Sequence, residues 1–234
     1  MGPRLWLPWV APGRDCSPHD DPSWRRQASA GVGTETLSRV SDPHDRDSLI
    51  YADGAGAAVI EAVEQDEPVG LLAHLARSDT GEELDFLSMG GSNHPSRCRD
   101  ELYLKMDGRR LYRYALKNVA EAIQECLDRA GVEIGEVAKI LLHQANEKMN
   151  RSIVAALYDR HGRPVPSRVA PTTLSWLGNS SVATLPTLLD LLLRGSLRDH
   201  EVDPGDIVVF GSVGAGMHIN AAVYRVPARR PQLR

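Results

Sequence analysis

Hydrophobic residues recur at helical spacing along one long segment of the chain. Between residues 109 and 130, apolar positions follow one another every three or four residues, which predicts an amphipathic helix with one buried face. These positions are Leu111, Ala115, Val119, Ala122, Cys126 and Ala130. Gly131 comes directly after them and is typical of a helix C-cap.

Short apolar runs elsewhere predict strands. Residues 207–210 are continuously apolar and residues 138–142 nearly so, as in buried strands. Strands are also predicted at residues 69–77 and 217–226, and at residues 49–51 and 57–60 on either side of the small residues 53–56. Residues 79–105 are expected to form a long irregular connection, which in a compact domain is often a functional loop.

Two more helices complete the pattern. One is predicted over residues 147–161, and another follows residues 177–181 and runs to Leu193. Residues 184–193 are apolar on nearly every face, which indicates a buried helix. The alternation of strands and helices predicts an α/β fold, with a mixed, mainly parallel sheet and helices on both faces.

The composition is that of an ordinary globular protein, with 234 residues of which 42% are hydrophobic and 25% charged. The net charge of −4 gives no indication of a nucleic-acid or membrane-surface partner. No apolar run approaches the ~18 residues of a membrane-spanning helix. Three cysteines favour neither a disulfide framework nor a metal site, so we expect a reducing, cytoplasmic location.

Three polar features fall at the ends of predicted elements: His143, Asn179 and the glycine-rich bend at residues 214–216. An imidazole, a carboxamide and backbone N–H groups are neutral donors that stabilise charge developing on a carbonyl oxygen, each worth about 3 kcal/mol. Each also has a structural alternative. His143 would be a core histidine bonded to a carbonyl, Asn179 a helix N-cap before Ser180, and the bend a tight turn.

Five short motifs occur in an order that resembles one family. They are Asp53-Gly54-Ala55-Gly56-Ala57, Met106-Asp107-Gly108-Arg109, His143-Gln144-Ala145-Asn146, Gly178-Asn179-Ser180-Ser181 and Gly214-Ala215-Gly216. Over residues 31–226 the chain resembles β-ketoacyl-acyl-carrier-protein synthase III, a thiolase-like condensing enzyme.

The resemblance implies an α/β, thiolase-like layered fold built from two related halves. The chain is expected to hold the C-terminal half plus the end of the N-terminal half. Its organisation would be a poorly ordered, unrelated tail (1–30), a remnant of the N-terminal half (31–78), a connecting loop (79–105), the C-terminal half (106–226) and a basic tail (227–234).

The resemblance also implies a reaction, the decarboxylative condensation of acyl-CoA with malonyl-acyl-carrier protein that starts fatty-acid chains. No cofactor, metal, nucleic acid or membrane is implied, and a homodimer is the family's assembly. His143 and Asn179 match the residues that polarise the malonyl thioester carbonyl. Ala215 matches the residue whose backbone N–H binds the acyl thioester oxygen.

Three further residues match substrate-binding positions of the family. Asn146 and Arg46 match positions near the pantetheine and the nucleotide of CoA. Lys148 matches a basic residue that helps to dock the acidic acyl carrier protein.

The family's nucleophilic cysteine has no match. Cys16 lies among carboxylates, which disfavour the thiolate, and Cys126 falls on an apolar helix face. Cys98 lies between arginines in the predicted loop, outside any motif. We therefore expect most of the first half to be missing and the chain to be inactive in condensation.

Two other interpretations stay open. One is a non-catalytic half or accessory subunit that binds acyl-CoA or carrier protein and needs a partner to supply the nucleophile. The other is a cysteine hydrolase that uses Cys98, His143 and Asn179.

Overall fold

The computed structural model describes residues 28–61, 67–96 and 101–227. In chain order its strands are β1 (Ala28–Thr36), β2 (Asp53–Glu61), β3 (Gly70–Ser78), β4 (Leu87–Gly90), β5 (Tyr103–Met106), β6 (Val137–Leu142), β7 (Ile207–Gly214) and β8 (His218–Arg225). Its α-helices are α1 (Gly108–Ala130), α2 (Glu147–Asp159), α3 (Leu174–Leu177) and α4 (Thr184–Leu193).

The central sheet is mixed and has the strand order β3-β8-β7-β6. Only the β6–β7 pair is parallel, because β8 runs antiparallel to both β7 and β3. The expectation of a mainly parallel sheet is therefore wrong. A bend of three residues joins β7 to β8, and strands joined by so short a connection can pair only in the antiparallel sense.

Helices cover both faces of this sheet, as the sequence predicted. On one face, α1 and α2 pack over a core that includes Ile123, Leu157 and Val209. On the other face, α4 packs through Leu188 and Leu192 against residues such as Phe210. Because neighbouring strand residues point to opposite faces, the apolar run of β7 supplies both cores.

The β1–β2 hairpin forms a further layer beyond α4. Its inward face includes glycines that allow close approach: a Cβ on Gly33 would lie 2.9 Å from Val182 O, and one on Gly56 would lie 2.8 Å from Pro186 Cγ. Helix α4 thus lies between the central sheet and this hairpin. That position explains why its sequence is apolar on nearly every face.

Several predicted elements differ in the structure. Residues 49–51 are not a strand, since Arg46–Ile50 forms a 3-10 helix, and residues 53–56 belong to β2. The connection at residues 79–105 is not wholly irregular, because β4 and β5 pair within it. Helix α2 ends at Asp159, and β7 extends through Gly214.

Other predictions are confirmed or lie outside the described residues. Helix α1 ends at Ala130, and its C-cap Gly131 has a left-handed φ of 63°, as the sequence predicted. An ordered strand begins at Ala28, slightly before the predicted start of order at residue 31. The rest of the predicted N-terminal tail and nearly all of the C-terminal tail fall outside the described ranges.

Candidate active site

His143 lies between the end of β6 and the start of α2, as the sequence predicted. Its backbone N–H donates to Gly211 O on β7 at 2.9 Å, and its carbonyl accepts from Asn150 Nδ2 on α2 at 3.0 Å. The imidazole is half-buried, and this burial lowers the pKa of His143 to about 4. The ring is therefore neutral at pH 7 and is available as an uncharged donor or acceptor.

One ring nitrogen of His143 contacts a side chain of the buried helix. Nδ1 lies 2.7 Å from Oγ1 of Thr184, the first residue of α4. The expected alternative, a core histidine bonded to a backbone carbonyl, is not what the structure has. The contact with Thr184 leaves Nε2 as the nitrogen that points away from α4.

Asn179 is held by the segment that leads into β2. Its N–H donates to Ile50 O at 2.7 Å, and its carbonyl accepts from Ala52 N at 2.9 Å. Its Oδ1 accepts from Ser181 N at 2.9 Å, which directs the Nδ2 amide away from that bond. This is a local side-chain turn rather than a helix N-cap, because Ser180 is the N-cap of the short 3-10 helix that follows.

The glycine-rich bend joins β7 to β8 and also borders the site. Gly214 ends β7, and Ala215 begins the bend. Gly216 has a φ of 74°, and a Cβ there would lie 2.9 Å from Nε2 of His218. The bend is thus a tight connection, as its structural alternative held, and it also places Ala215 at the site.

His143, Asn179 and Ala215 line a single cavity of about 650 Å³. Other polar residues of its wall are Thr34, Glu35, Thr36, Arg39, Tyr51, Ser181, Thr184, Ser212, His218 and Asn220. Its apolar wall includes Leu37, Val40, Leu87, Met89, Leu104, Met106, Leu111, Met149, Leu185 and Val213. A largely apolar wall with a few polar groups is typical of a small-molecule site.

A buried glutamine connects the two sides of this cavity. Gln144, with 1% of its surface exposed, donates from Nε2 to Leu142 O at 2.7 Å. Its Oε1 accepts from Thr173 N at 2.9 Å and from Thr172 Oγ1 at 3.1 Å. Residues 172 and 173 lead through α3 to Asn179, so Gln144 joins the end of β6 to the segment that carries the amide.

The other three predicted site residues lie apart from His143 and Asn179. Arg46 is exposed and borders an open depression of about 760 Å³, next to Lys105 and Arg109. Asn146 is exposed and accepts from Met149 N at 3.0 Å as the N-cap of α2. Lys148 is exposed in the first turn of α2.

The cysteine that the structure describes does not reach the cavity. Cys126 lies on the buried face of α1, where burial raises the pKa of its thiol to about 11. Cys16 and Cys98 fall outside the described residues. No cysteine therefore lines the cavity within the described ranges, and the hydrolase interpretation has no described nucleophile.

Sequence reasoning missed several residues of the cavity wall. In the sequence Thr184 falls in the predicted apolar helix and Ser212 beyond the predicted strand at residues 207–210, whereas the structure places Ser212 within β7. Ser212 is 4% exposed, and its hydroxyl has no hydrogen-bond partner among the described residues. For both residues, the only indication in the sequence was a hydroxyl side chain among apolar neighbours.

Residues 28–61, 67–96 and 101–227 contain neither a helix suited to spanning a membrane nor a group of side chains suited to a metal ion. None of the helices has the length and apolar character needed to cross a membrane. No group of three or more His, Cys, Asp or Glu side chains there is placed to hold a metal ion.

Comparison with known families identifies the chain in two parts. The family model described as 3-oxoacyl-[acyl-carrier-protein] synthase III matches residues 29–79, and the model of its C-terminal part matches residues 127–226. β-Ketoacyl-[acyl-carrier-protein] synthase III of Erythrobacter litoralis is 35% identical over 196 residues, which are 83% of this chain and 57% of that protein. A Streptomyces coelicolor relative of the same name is 35% identical, over 86% of this chain and 58% of its own length.

Solved structures give the same result. The 3-oxoacyl-(acyl carrier protein) synthase III of Pseudomonas aeruginosa matches with a TM-score of 0.68 and 30% identity, over 87% of this chain and 59% of that one. The priming β-ketosynthase of the R1128 polyketide pathway matches with a TM-score of 0.70 and 30% identity, over 86% and 57%. The chain spans somewhat more than half the length of these relatives.

The layered arrangement of sheet, buried helix and hairpin is that of a thiolase-like fold. Both family models match in the expected order. The chain belongs to the β-ketoacyl-[acyl-carrier-protein] synthase III family.

Proposed function

We propose that this chain carries the decarboxylating half of an acyltransferase of the β-ketoacyl-[acyl-carrier-protein] synthase III type. Its substrates would be malonyl-acyl-carrier protein and acyl-CoA, as in fatty-acid chain initiation. The observation that supports this most directly is the shared cavity of His143, Asn179 and Ala215. Nδ1 of His143 is bonded to Thr184 and Oδ1 of Asn179 to Ser181. Nε2 of His143 and Nδ2 of Asn179 are therefore left to bind a substrate.

The proposed chemistry needs two neutral donors. When the malonyl carboxylate leaves as carbon dioxide, the electron pair of the broken C–C bond forms an enolate on the thioester. Hydrogen bonds from His143 Nε2 and Asn179 Nδ2 stabilise the enolate oxygen more than the neutral carbonyl. The enolate carbon then attacks the carbonyl of an acyl thioester, and the thiolate of that thioester leaves.

The remaining residues would bind the substrates. Backbone N–H of Ala215 would bind the oxygen of the acyl thioester, and the apolar wall would surround the acyl chain. Arg46, beside Lys105 and Arg109, would contact the phosphates of CoA at the open depression. Asn146 would lie near the pantetheine, and Lys148 would contact the acidic carrier protein. We also propose that the protein is cytoplasmic, works without a cofactor and forms a homodimer.

A second function is favoured by the position of Cys126. Since this thiol is buried and has a raised pKa, the described residues supply no cysteine that could be acylated. The chain would then bind acyl-CoA or carrier protein and receive its nucleophile from a partner. Decarboxylation distinguishes the two functions, because it needs His143 and Asn179 but no nucleophilic thiol.

The test is to incubate the purified chain with malonyl-acyl-carrier protein and to measure acetyl-acyl-carrier protein by mass spectrometry. We expect slow decarboxylation, reduced about 100-fold by His143→Ala and by Asn179→Ala. His161→Ala is the matched control, because His161 is exposed in the turn that follows α2. Binding without decarboxylation would support the non-catalytic function, and equal rates in all variants would refute the proposed site.

The same preparation tests acyl transfer. With Cys126 in the core, we expect radiolabelled acetyl-CoA to leave no stoichiometric acyl group on the 234-residue chain. A stoichiometric label that disappears when one cysteine is changed to Ser would identify a nucleophile and contradict this expectation.

A further inference from the structure

The hydroxyl of Thr184 lies where three groups meet. Its Oγ1 is 2.7 Å from His143 Nδ1 and 3.0 Å from Ser181 O, and it accepts weakly from Gln144 N at 3.4 Å. Thr184 is 4% exposed, so bulk water does not compete for these bonds. A threonine hydroxyl has one hydrogen, which can be given either to Nδ1 or to the carbonyl.

The two choices have opposite effects on the imidazole. If the hydroxyl donates to Ser181 O, Nδ1 must carry the ring proton and donate to Oγ1, and Nε2 can only accept. If the hydroxyl donates to Nδ1, the ring proton is on Nε2, which becomes a donor. In a neutral imidazole the partner of one nitrogen thus determines what the other offers.

The surrounding hydrogen bonds favour the second choice. The carbonyl of Ser181 already accepts the backbone N–H of Thr184, so it remains satisfied when the hydroxyl turns away. Nδ1 has Oγ1 as its partner within the described residues. The 3.0 Å from Oγ1 to Ser181 O is also at the long end for an O–H···O hydrogen bond, whereas the 2.7 Å from Oγ1 to Nδ1 is a full-strength distance.

We infer that Thr184 is a positioning residue: its hydroxyl donates to Nδ1 of His143 and keeps the ring proton on Nε2. Its catalytic consequence rests on the proposed function, since a proton on Nε2 is what lets His143 donate to an enolate oxygen. The hydrogen-bond arrangement itself does not depend on any substrate.

The experiment is nitrogen-15 NMR of the histidine ring in the substrate-free, full-length chain at pH 7. The His143 signals are assigned by their loss in His143→Gln. We expect the proton on Nε2 and a hydrogen-bonded, unprotonated Nδ1 in the natural chain and in Thr184→Ser. Thr184→Val keeps the side-chain shape but has no hydroxyl, so its Nδ1 signal should show a lost hydrogen bond.

Two results would overturn the inference: a proton on Nδ1 in the natural chain, or a Thr184→Val spectrum identical to the natural one. If Thr184→Val fails to fold, the spectra of the natural chain and Thr184→Ser still decide, because they alone locate the proton.

Steady-state kinetics of the Thr184 variants test whether this hydrogen bond contributes to decarboxylation. We expect Thr184→Val to lower kcat about tenfold, with KM for malonyl-acyl-carrier protein little changed, and Thr184→Ser to restore kcat. An unchanged kcat in Thr184→Val would contradict the positioning role. Absence of decarboxylation in every variant would count against the proposed function only, because the ring-proton measurement uses no substrate.

Discussion

Asn179 depends on a neighbouring residue whose backbone only glycine adopts easily. Gly178 has a φ of 67° and a ψ of −163°, a backbone conformation that costs free energy in any residue with a Cβ. A Cβ there would also lie 2.9 Å from Ile50 O, the carbonyl that accepts the N–H of Asn179. The glycine therefore permits the close contact that fixes the amide.

Replacing this glycine should harm both stability and site geometry. We expect Gly178→Ala to lower the free energy of unfolding by about 1–3 kcal/mol, measured by chemical denaturation, and to reduce decarboxylation. The control is Gly131→Ala, which also has a positive φ but has nothing within 4 Å of its Cβ position. A smaller loss in Gly178→Ala than in Gly131→Ala would contradict this account.

The buried imidazole of His143 predicts a pH dependence. Its pKa is about 4 in the folded chain, against the ordinary histidine value of 6.5, because burial disfavours the charged form. The unfolded chain therefore binds a proton between these values while the folded chain does not, and stability falls as the pH is lowered through that window. Unfolding measured between pH 7 and 4 should show a smaller loss of stability in His143→Gln, and identical pH profiles would refute the shift.

At the scale of elements, buried polar side chains hold the irregular segments in place. Asp42 accepts from Lys105 Nζ at 2.7 Å and from Asn93 N at 2.6 Å, which attaches the segment before β2 to the β4–β5 hairpin. Burial alone would raise the pKa of Asp42, but these donors, with Ser92 and the backbone of His44, hold it well below its usual range. The same segment carries Arg46 and the carbonyl that binds Asn179.

Gln144 has the corresponding role on the other side of the cavity. We expect Gln144→Leu to destabilise the chain by about 1–3 kcal/mol for each backbone group left without a partner, measured by chemical denaturation. Gln124→Leu is the matched control, since its hydrogen bonds lie at the surface of α1. An equal loss in the two variants would show that Gln144 does not hold the segment leading to Asn179.

At the scale of the whole molecule, the outer face of the β1–β2 hairpin is apolar and uncovered. Val32 is 60% exposed and Val59 is 72% exposed, on adjacent strands of a two-stranded sheet. Two-stranded sheets are marginally stable unless another layer covers them. An exposed apolar face of this kind favours association.

The 234-residue chain by itself should therefore bind a hydrophobic dye and associate. We expect the double variant Val32→Thr and Val59→Thr to reduce dye fluorescence and light scattering, because it removes apolar surface but keeps β-branched residues. Val165→Thr, at an exposed valine outside the hairpin, is the control. A sharp cooperative unfolding transition from a monomer that binds no dye would contradict this prediction.

Local patterns were enough to predict the regular elements and the order of the motifs. Helical spacing located α1 almost to the residue, because a helix with one buried face has apolar residues every three or four positions. The apolar runs located β6 and β7, because a strand buried on both faces is apolar at successive positions. The motifs around His143 and Asn179 indicated the family without any coordinates. The all-round apolar character of α4 correctly indicated that it has neighbours on several sides.

The tertiary structure alone decided what depends on contacts between distant residues. The 3-10 helix at Arg46–Ile50 replaces a predicted strand, since its segment forms a single bridge to Asn179 instead of pairing along its length. The pairing of β3 with β8, the backbone contacts that hold Asn179 and the contact between His143 and Thr184 all involve residues that are far apart in the chain. Sequence periodicity reports which face of an element is buried, and it carries no information on which partner is buried against it.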